Sequence, residues 1–177
     1  MTYVLRNYIT GGSEREDKIL KDDTVLGFEE YVLNKINQYK NIKDTDLFKE
    51  FFDDENIKSK NRYSRLALEI LGVKTKNAEE FEKANIEVKA VRIESDKKIR
   101  ESMSFPAFKT MELIKQNWEE SDINNYFTET KFLFVIYKKK QNNYYLKGAK
   151  FWNMPVDDIE GSLREEWERA VNIFREG

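Results

Sequence analysis

The chain has 177 residues, 40% of them hydrophobic and 36% charged, and its 31 basic and 33 acidic side chains leave a net charge of −2. That length suits one domain with its own core, and the charge balance gives no overall basic field that would advertise a nucleic-acid or membrane partner. There is no Cys and no His, which excludes disulfides, thiolate or imidazole metal sites, and Ser-His-Asp or Cys-His hydrolase centres within this chain. Chemistry is left to carboxylates, Lys, Tyr, Ser or a hard cation, and oxygen ligands favour Mg²⁺ or Mn²⁺.

Segments Tyr3–Ile9 and Glu14–Asp23 read as an apolar-aromatic stretch and a charged connection, separated by Gly11-Gly12-Ser13. Asp23 or Thr24 is the expected cap of a first helix, whose Phe28, Tyr31, Val32, Ile36 and Tyr39 recur at three- and four-residue steps. A second helix is expected over Thr45–Asp53 and a third over Asn61–Leu71, the latter stopped by Gly72. After the polar link Lys74–Asn77 comes the strand Ile86–Ile93, then a turn at Ser95–Lys98 and a returning strand Ile99–Phe105 ended by Pro106. Phe108–Trp118 reads as a helix, and Asp122–Phe127 as a short one capped by Ser121. Lys131–Tyr137 is apolar throughout, as a strand buried on both faces would be. Lys138–Asn143 is the expected turn into the strand Tyr144–Trp152. Pro155 then opens a last helix, with Leu163, Trp167, Ala170, Val171 and Phe174 as its apolar stripe. The order predicts an α/β (α+β) fold, a central mixed sheet flanked by helices in a single domain over residues 1–177. No apolar run approaches the roughly 20 residues that span a bilayer. No extended apolar region follows Met1–Asn7, so a cytoplasmic protein with no membrane partner is expected.

The candidate chemistry sits around the first confident strand. Ile86, Val88 and Ala90 fall on one face and Glu87 and Lys89 on the other, because strand side chains repeat every two residues. Glu80 lies a short distance upstream. Phosphodiester cleavage needs an in-line water, neutralisation of the charge that builds on phosphorus, and help for the leaving oxygen. Carboxylate-held Mg²⁺ can supply the last two, and a neighbouring Lys can orient the water. That casts Glu80 and Glu87 as metal ligands and Lys89 as the water-positioning group. The same residue types also fit a solvated, salt-bridged strand face, and an acid–x–Lys triplet recurs at Glu16-Asp17-Lys18, Asp96-Lys97-Lys98 and Glu129-Thr130-Lys131.

Glu80, six residues, then Glu87-Val88-Lys89 resembles the PD-(D/E)XK nuclease motif as spaced in the MutH mismatch-repair nickases. Glu79–Lys83, Arg100–Phe105, Phe108-Lys109, Lys131–Val135, and Met154-Pro155 with Asp158-Ile159 resemble segments of two-domain type II restriction endonucleases that cut GATC with tandem MutH-like domains. The second, C-terminal domain is the better match. The resemblance implies a restriction-endonuclease-like fold, Mg²⁺ as cofactor, double-stranded DNA as partner, and Glu69 on the preceding helix as a further acid beside Glu80 and Glu87. It also implies a fragment of a longer enzyme, whose N-terminal catalytic MutH-like domain is a partner in the same chain. The family's first motif acid is Asp where this chain has Glu80, one methylene longer. The second domain of such enzymes resembles an effector that takes up a GATC copy while the first cuts.

Three functions follow for comparison: a DNA-binding effector domain, a nuclease domain active through Glu80, Glu87 and Lys89, and a protein-interaction domain without a nucleic-acid role. Candidates for reading or gripping DNA are Arg100, Ser102, Lys109, Lys138 and Lys139. The sequence does not rank them.

Overall fold

Periodicity decides the layers of the molecule. The computed structural model describes residue 19 and residues 27–52, 61–73, 78–99 and 110–176. Helices α1 (Phe28–Asn37), α2 (Asp44–Phe51) and α3 (Arg62–Leu71) come first, followed by the short helix α4 (Glu79–Lys83) and strand β1 (Ile86–Ile93). Helix α5 (Thr110–Leu113), a 3-10 turn (Trp118–Glu120) and α6 (Asp122–Glu129) lead into β2 (Lys131–Lys140) and β3 (Asn143–Trp152). Then come α7 (Val156–Asp158), a π-helical segment (Ile159–Leu163) and α8 (Arg164–Glu176).

The described strands form one mixed sheet in the order β1-β2-β3, parallel between β1 and β2 and antiparallel between β2 and β3. A parallel pair needs a long crossover, and α5 and α6 lie within it. Residues of one sheet face, among them Val88, Ala90, Leu133, Val135 and Phe151, pack with Val32, Ile36, Leu47, Leu66, Ala67 and Ile70 from the first three helices. A second cluster of Leu113, Trp118, Ile159, Trp167 and Val171 has Phe127 of α6 packed against it. Phe127 also meets Phe132 of β2, with ring centres 6.1 Å apart. Helix α6 therefore joins the second cluster to the other face of the sheet.

Two glycines are needed for backbone reasons. Gly72 ends α3 in the left-handed conformation at φ 82°, as the sequence predicts. Gly148 has φ 125°, and a Cβ there would lie 2.8 Å from Asn37 Oδ1. It sits beside the register shift at Ile136/Tyr137, where α1 comes close to β3.

Several boundaries differ from the sequence expectation. Gly27 occupies the N-cap of α1, while Asp23, Thr24, the stretch Tyr3–Ile9 and most of the Ile99–Phe105 strand lie outside the described residues. The turn at 95–98 is present, and Ile99 forms an isolated antiparallel bridge to Ile93. The 108–118 helix shrinks to Thr110–Leu113 among the described residues. Asn117 is extended, and the Gln116 side chain instead pairs with the start of α6, its Nε2 donating to Asp122 Oδ2 at 2.9 Å. The expected turn at Lys138–Asn143 is strand up to Lys140, with Lys138 opposite Tyr145 and Lys139 opposite Tyr144. The reversal itself takes only Gln141 and Asn142. On α8, Trp167 and Val171 are buried as expected, but Phe174 is 51% exposed, because the stripe outruns the cluster it packs against.

One polar group is buried within the helical layer. The Tyr63 hydroxyl donates to Asp44 Oδ2 at 2.6 Å, and both residues are buried. Burial first, and the Asp44 carboxylate second, push the tyrosine up to about 12 from its ordinary 10.0. A raised folded-state pKa means a stability contribution that is whole below pH 10 and is lost as pH climbs through 12. The stability difference between the native chain and Tyr63→Phe, read from urea unfolding, should therefore be largest at pH 8 and narrow steadily between pH 10 and 12. A difference that stays constant across that window would show that this hydroxyl does not titrate as described.

Candidate functional site

The parallel ladder builds the site. Glu87 pairs in register with Phe132 and Lys89 with Phe134. Phe132 pairs in turn with Trp152, and Phe134 with Lys150. Register partners share a sheet face, so Glu87–Phe132–Trp152 and Lys89–Phe134–Lys150 are two adjacent rows across one face. The rings lie close together: Phe132 and Phe134 stack at 5.7 Å, and Trp152 lies 5.9 Å from the first and 5.6 Å from the second. This aromatic cluster flanks the charged pair on one side.

Lys89 Nζ sits 2.7 Å from Glu87 Oε2, with the two side chains 18% and 36% exposed. The carboxylate is thus open to solvent on one side and fixed on the other. Its second neighbour comes from α6. The Tyr126 hydroxyl is closed off from solvent and faces Glu87; burial, then the Glu87 carboxylate, raise its pKa above the ordinary tyrosine value.

Glu80 lies at the start of α4, and its Oε1 accepts a hydrogen bond from the Ile19 N–H at 3.0 Å. Half of this carboxylate is therefore engaged with Ile19, which is buried in the first core. Glu69 is half-buried in the last turn of α3, a helix that packs against the Val88 and Ala90 side of β1 rather than the Glu87 side. Among the described residues no three acids gather into one metal-holding group, so Glu69, Glu80 and Glu87 do not form a three-carboxylate cage. Mg²⁺ asks for less, since it is commonly held by one or two carboxylates with waters and substrate phosphate oxygens. The half-open Glu87 carboxylate, an all-oxygen donor beside a cation, fits that hard ion.

Of the expected DNA-contacting residues, Arg100, Ser102 and Lys109 lie outside the described residues. Lys138 is exposed on β2. Lys139 is turned to the protein: its Nζ pairs with Glu94 at 2.9 Å, and Glu94 also accepts from the Tyr144 hydroxyl. Two residues escaped the sequence reading. Lys150 is exposed two strands over from Lys89 on the same face, and hairpin register with strand parity could have found it. No local pattern could have found Tyr126, which reaches Glu87 only through the tertiary fold.

Among the described residues a mixed three-stranded sheet with flanking helices, carrying Glu-x-Lys on β1, has the α+β architecture of restriction-endonuclease-like nuclease domains. The chain belongs to the MutH family: residues 71–166 match the family model described as DNA mismatch repair enzyme MutH. Along its whole length it is also similar to the type II restriction enzyme Sau3AI of Staphylococcus aureus, at 35% identity over 193 aligned residues. It spans 39% of that enzyme's length. The chain is therefore related both to a repair nuclease family and to a restriction enzyme.

The Glu87–Lys89 pair adds little to stability, because exposed or half-exposed ion pairs contribute about 1 kcal/mol or less. Lys89→Met should shift the urea unfolding free energy by no more than about that amount. A much larger loss would mean that Lys89 is structural.

Proposed function

We propose that this chain is a DNA-binding effector domain of a type II restriction endonuclease, taking up GATC-type duplex DNA across the sheet face that carries Glu87 and Lys89. Membership of the MutH family, together with similarity over the full chain to a restriction enzyme, supports the class. The observation that carries the placement is the row Lys89–Phe134–Lys150 beside the row Glu87–Phe132–Trp152. It sets the exposed Lys150 on the same sheet face as the part-buried Lys89, in a chain whose overall charge is −2. Lys150 and Lys138 would grip phosphates, which positions a duplex without reading it. Base reading would fall to residues such as Arg100, Ser102 and Lys109. An N-terminal catalytic MutH-like domain would be the partner in the longer enzyme, consistent with the 39% of the relative that this chain covers.

A second reading is that the domain cuts. It is favoured by the intact Glu87–Lys89 pair at 2.7 Å, which a pure binder need not keep. In that reading Glu87, with Glu80 as the other motif acid and without Glu69, would hold Mg²⁺, which when bound polarises the scissile phosphate and stabilises the leaving oxygen. Lys89 would orient the attacking water, with the aromatic cluster as an apolar wall at its side. Glu80 in place of Asp, half engaged by Ile19, argues for the effector reading over this one.

The test is a titration with fluorescent duplexes with and without one GATC, in Ca²⁺ and then in Mg²⁺. Site-selective binding without nicking is expected. Lys150→Ala should weaken binding to all duplexes alike and lower the slope of log affinity against log salt by about 1. Absence of duplex binding at low salt would sink both readings. Nicking in Mg²⁺ that vanishes in Lys89→Ala would replace the first with the second.

A further inference from the structure

We propose that Tyr126 is a positioning residue for the Glu87 carboxylate, holding it from the helix side in the orientation a divalent cation needs; this rests on the reading of Glu87 as a metal ligand. Three features of the packing place the Tyr126 ring beside this position of the strand. The Tyr126 ring meets Phe132 edge-on, with centres 5.9 Å apart, and Phe132 is the register partner of Glu87, so the tyrosine lies over that position of the sheet. Phe127 holds the same ring from the side, again edge-on at 5.1 Å. Helix α6 is anchored at its start by Ser121, a fully buried residue whose hydroxyl accepts from Asn124 N at 3.2 Å and donates to Trp118 O at 2.8 Å.

A glutamate on a strand has three side-chain torsions and, left alone, samples many rotamers. Here Lys89 takes Oε2 from within the strand, while the solvent-excluded Tyr126 hydroxyl faces the carboxylate from α6. With Lys89 paired to one oxygen and the Tyr126 hydroxyl facing the group from the helix side, the carboxylate has little freedom to lose when a cation arrives, and metal sites owe much of their affinity to such neighbours. The anchoring extends outward. The Trp118 indole N–H points at the Glu160 carboxylate, 3.2 Å from Oε2, and Glu160 also accepts from Arg164 at 3.2 Å. The C-terminal helical layer is thereby joined through α6 to the acid on β1.

The test compares the whole chain with Tyr126→Phe, Glu87→Gln and the double variant, using Mn²⁺ as the probe. Affinity is read from the free-ion electron paramagnetic resonance signal. The Glu87 side-chain carboxyl ¹³C resonance, assigned by its loss in Glu87→Gln, is read without metal. Tyr126→Phe should move that resonance and weaken Mn²⁺ binding about tenfold or more, with the melting temperature nearly unchanged. It should add nothing in the Glu87→Gln background. An unmoved resonance, or a moved resonance with native Mn²⁺ affinity, overturns the positioning role. Native Mn²⁺ affinity in Glu87→Gln is a separate outcome: it retires Glu87 as a ligand, and the positioning role with it, even where the carboxyl resonance confirms the contact.

Discussion

The parallel register of β1 on β2 is the constraint on which the rest depends. It runs from Ile86 opposite Lys131 to Ile93 opposite Lys138. A slip of one residue would turn Glu87 and Lys89 into the first core and expel Val88 and Ala90 from it. The fully buried Leu133 and Val135 on the central strand make such a slip costly. Asn85, left-handed at φ 47°, sets the start of the ladder, since its carbonyl accepts from the Lys131 N–H at 3.0 Å. Asparagine tolerates that conformation better than most residues. The register then delivers the acid, the lysine, the stacked rings and Lys150 to one face together.

Much of this was legible in the sequence, because the signals are local. Alternation over 86–93 marks β1, and the unbroken apolar run from Lys131 marks the central strand. Three- and four-residue spacing marks α1 and α3, Gly72 marks the end of α3, and Ser121 marks the start of α6. The errors share a cause. Lys138 to Lys140 look like turn by composition, yet cross-strand pairing with Tyr145, Tyr144 and Asn143 keeps them in the sheet. Tertiary pairing overrides a polar run when the partner strand is already in place. The 108–118 helix breaks because Gln116 finds Asp122, a choice no helical periodicity reveals. At the site, Glu87 and Lys89 follow from parity alone. The position of Glu80 against Ile19, the setting of Glu69 on the far-side helix, and the approach of Tyr126 all depend on long-range packing.

Charge illustrates the difference between a total and a placement. A net −2 gives no field to draw in a polyanion from a distance. Lys150, Lys138 and Lys89 nonetheless share a sheet, and two acids of β1 and its end are already paired: Glu87 to Lys89 and Glu94 to Lys139. An effector domain benefits from this economy, because weak attraction outside the site leaves selectivity to contacts within it. The similarity to a restriction enzyme more than twice as long supports the proposed effector role beside a further domain.

The most direct measurement is the anomalous diffraction of Mn²⁺ in crystals of the chain soaked at saturating metal. A single strong peak in direct contact with the Glu87 carboxylate, with Lys89 and Tyr126 beside it, is expected. A peak elsewhere, with Glu87 still closed on Lys89, would contradict the proposal that Glu87 on this strand face holds a divalent cation.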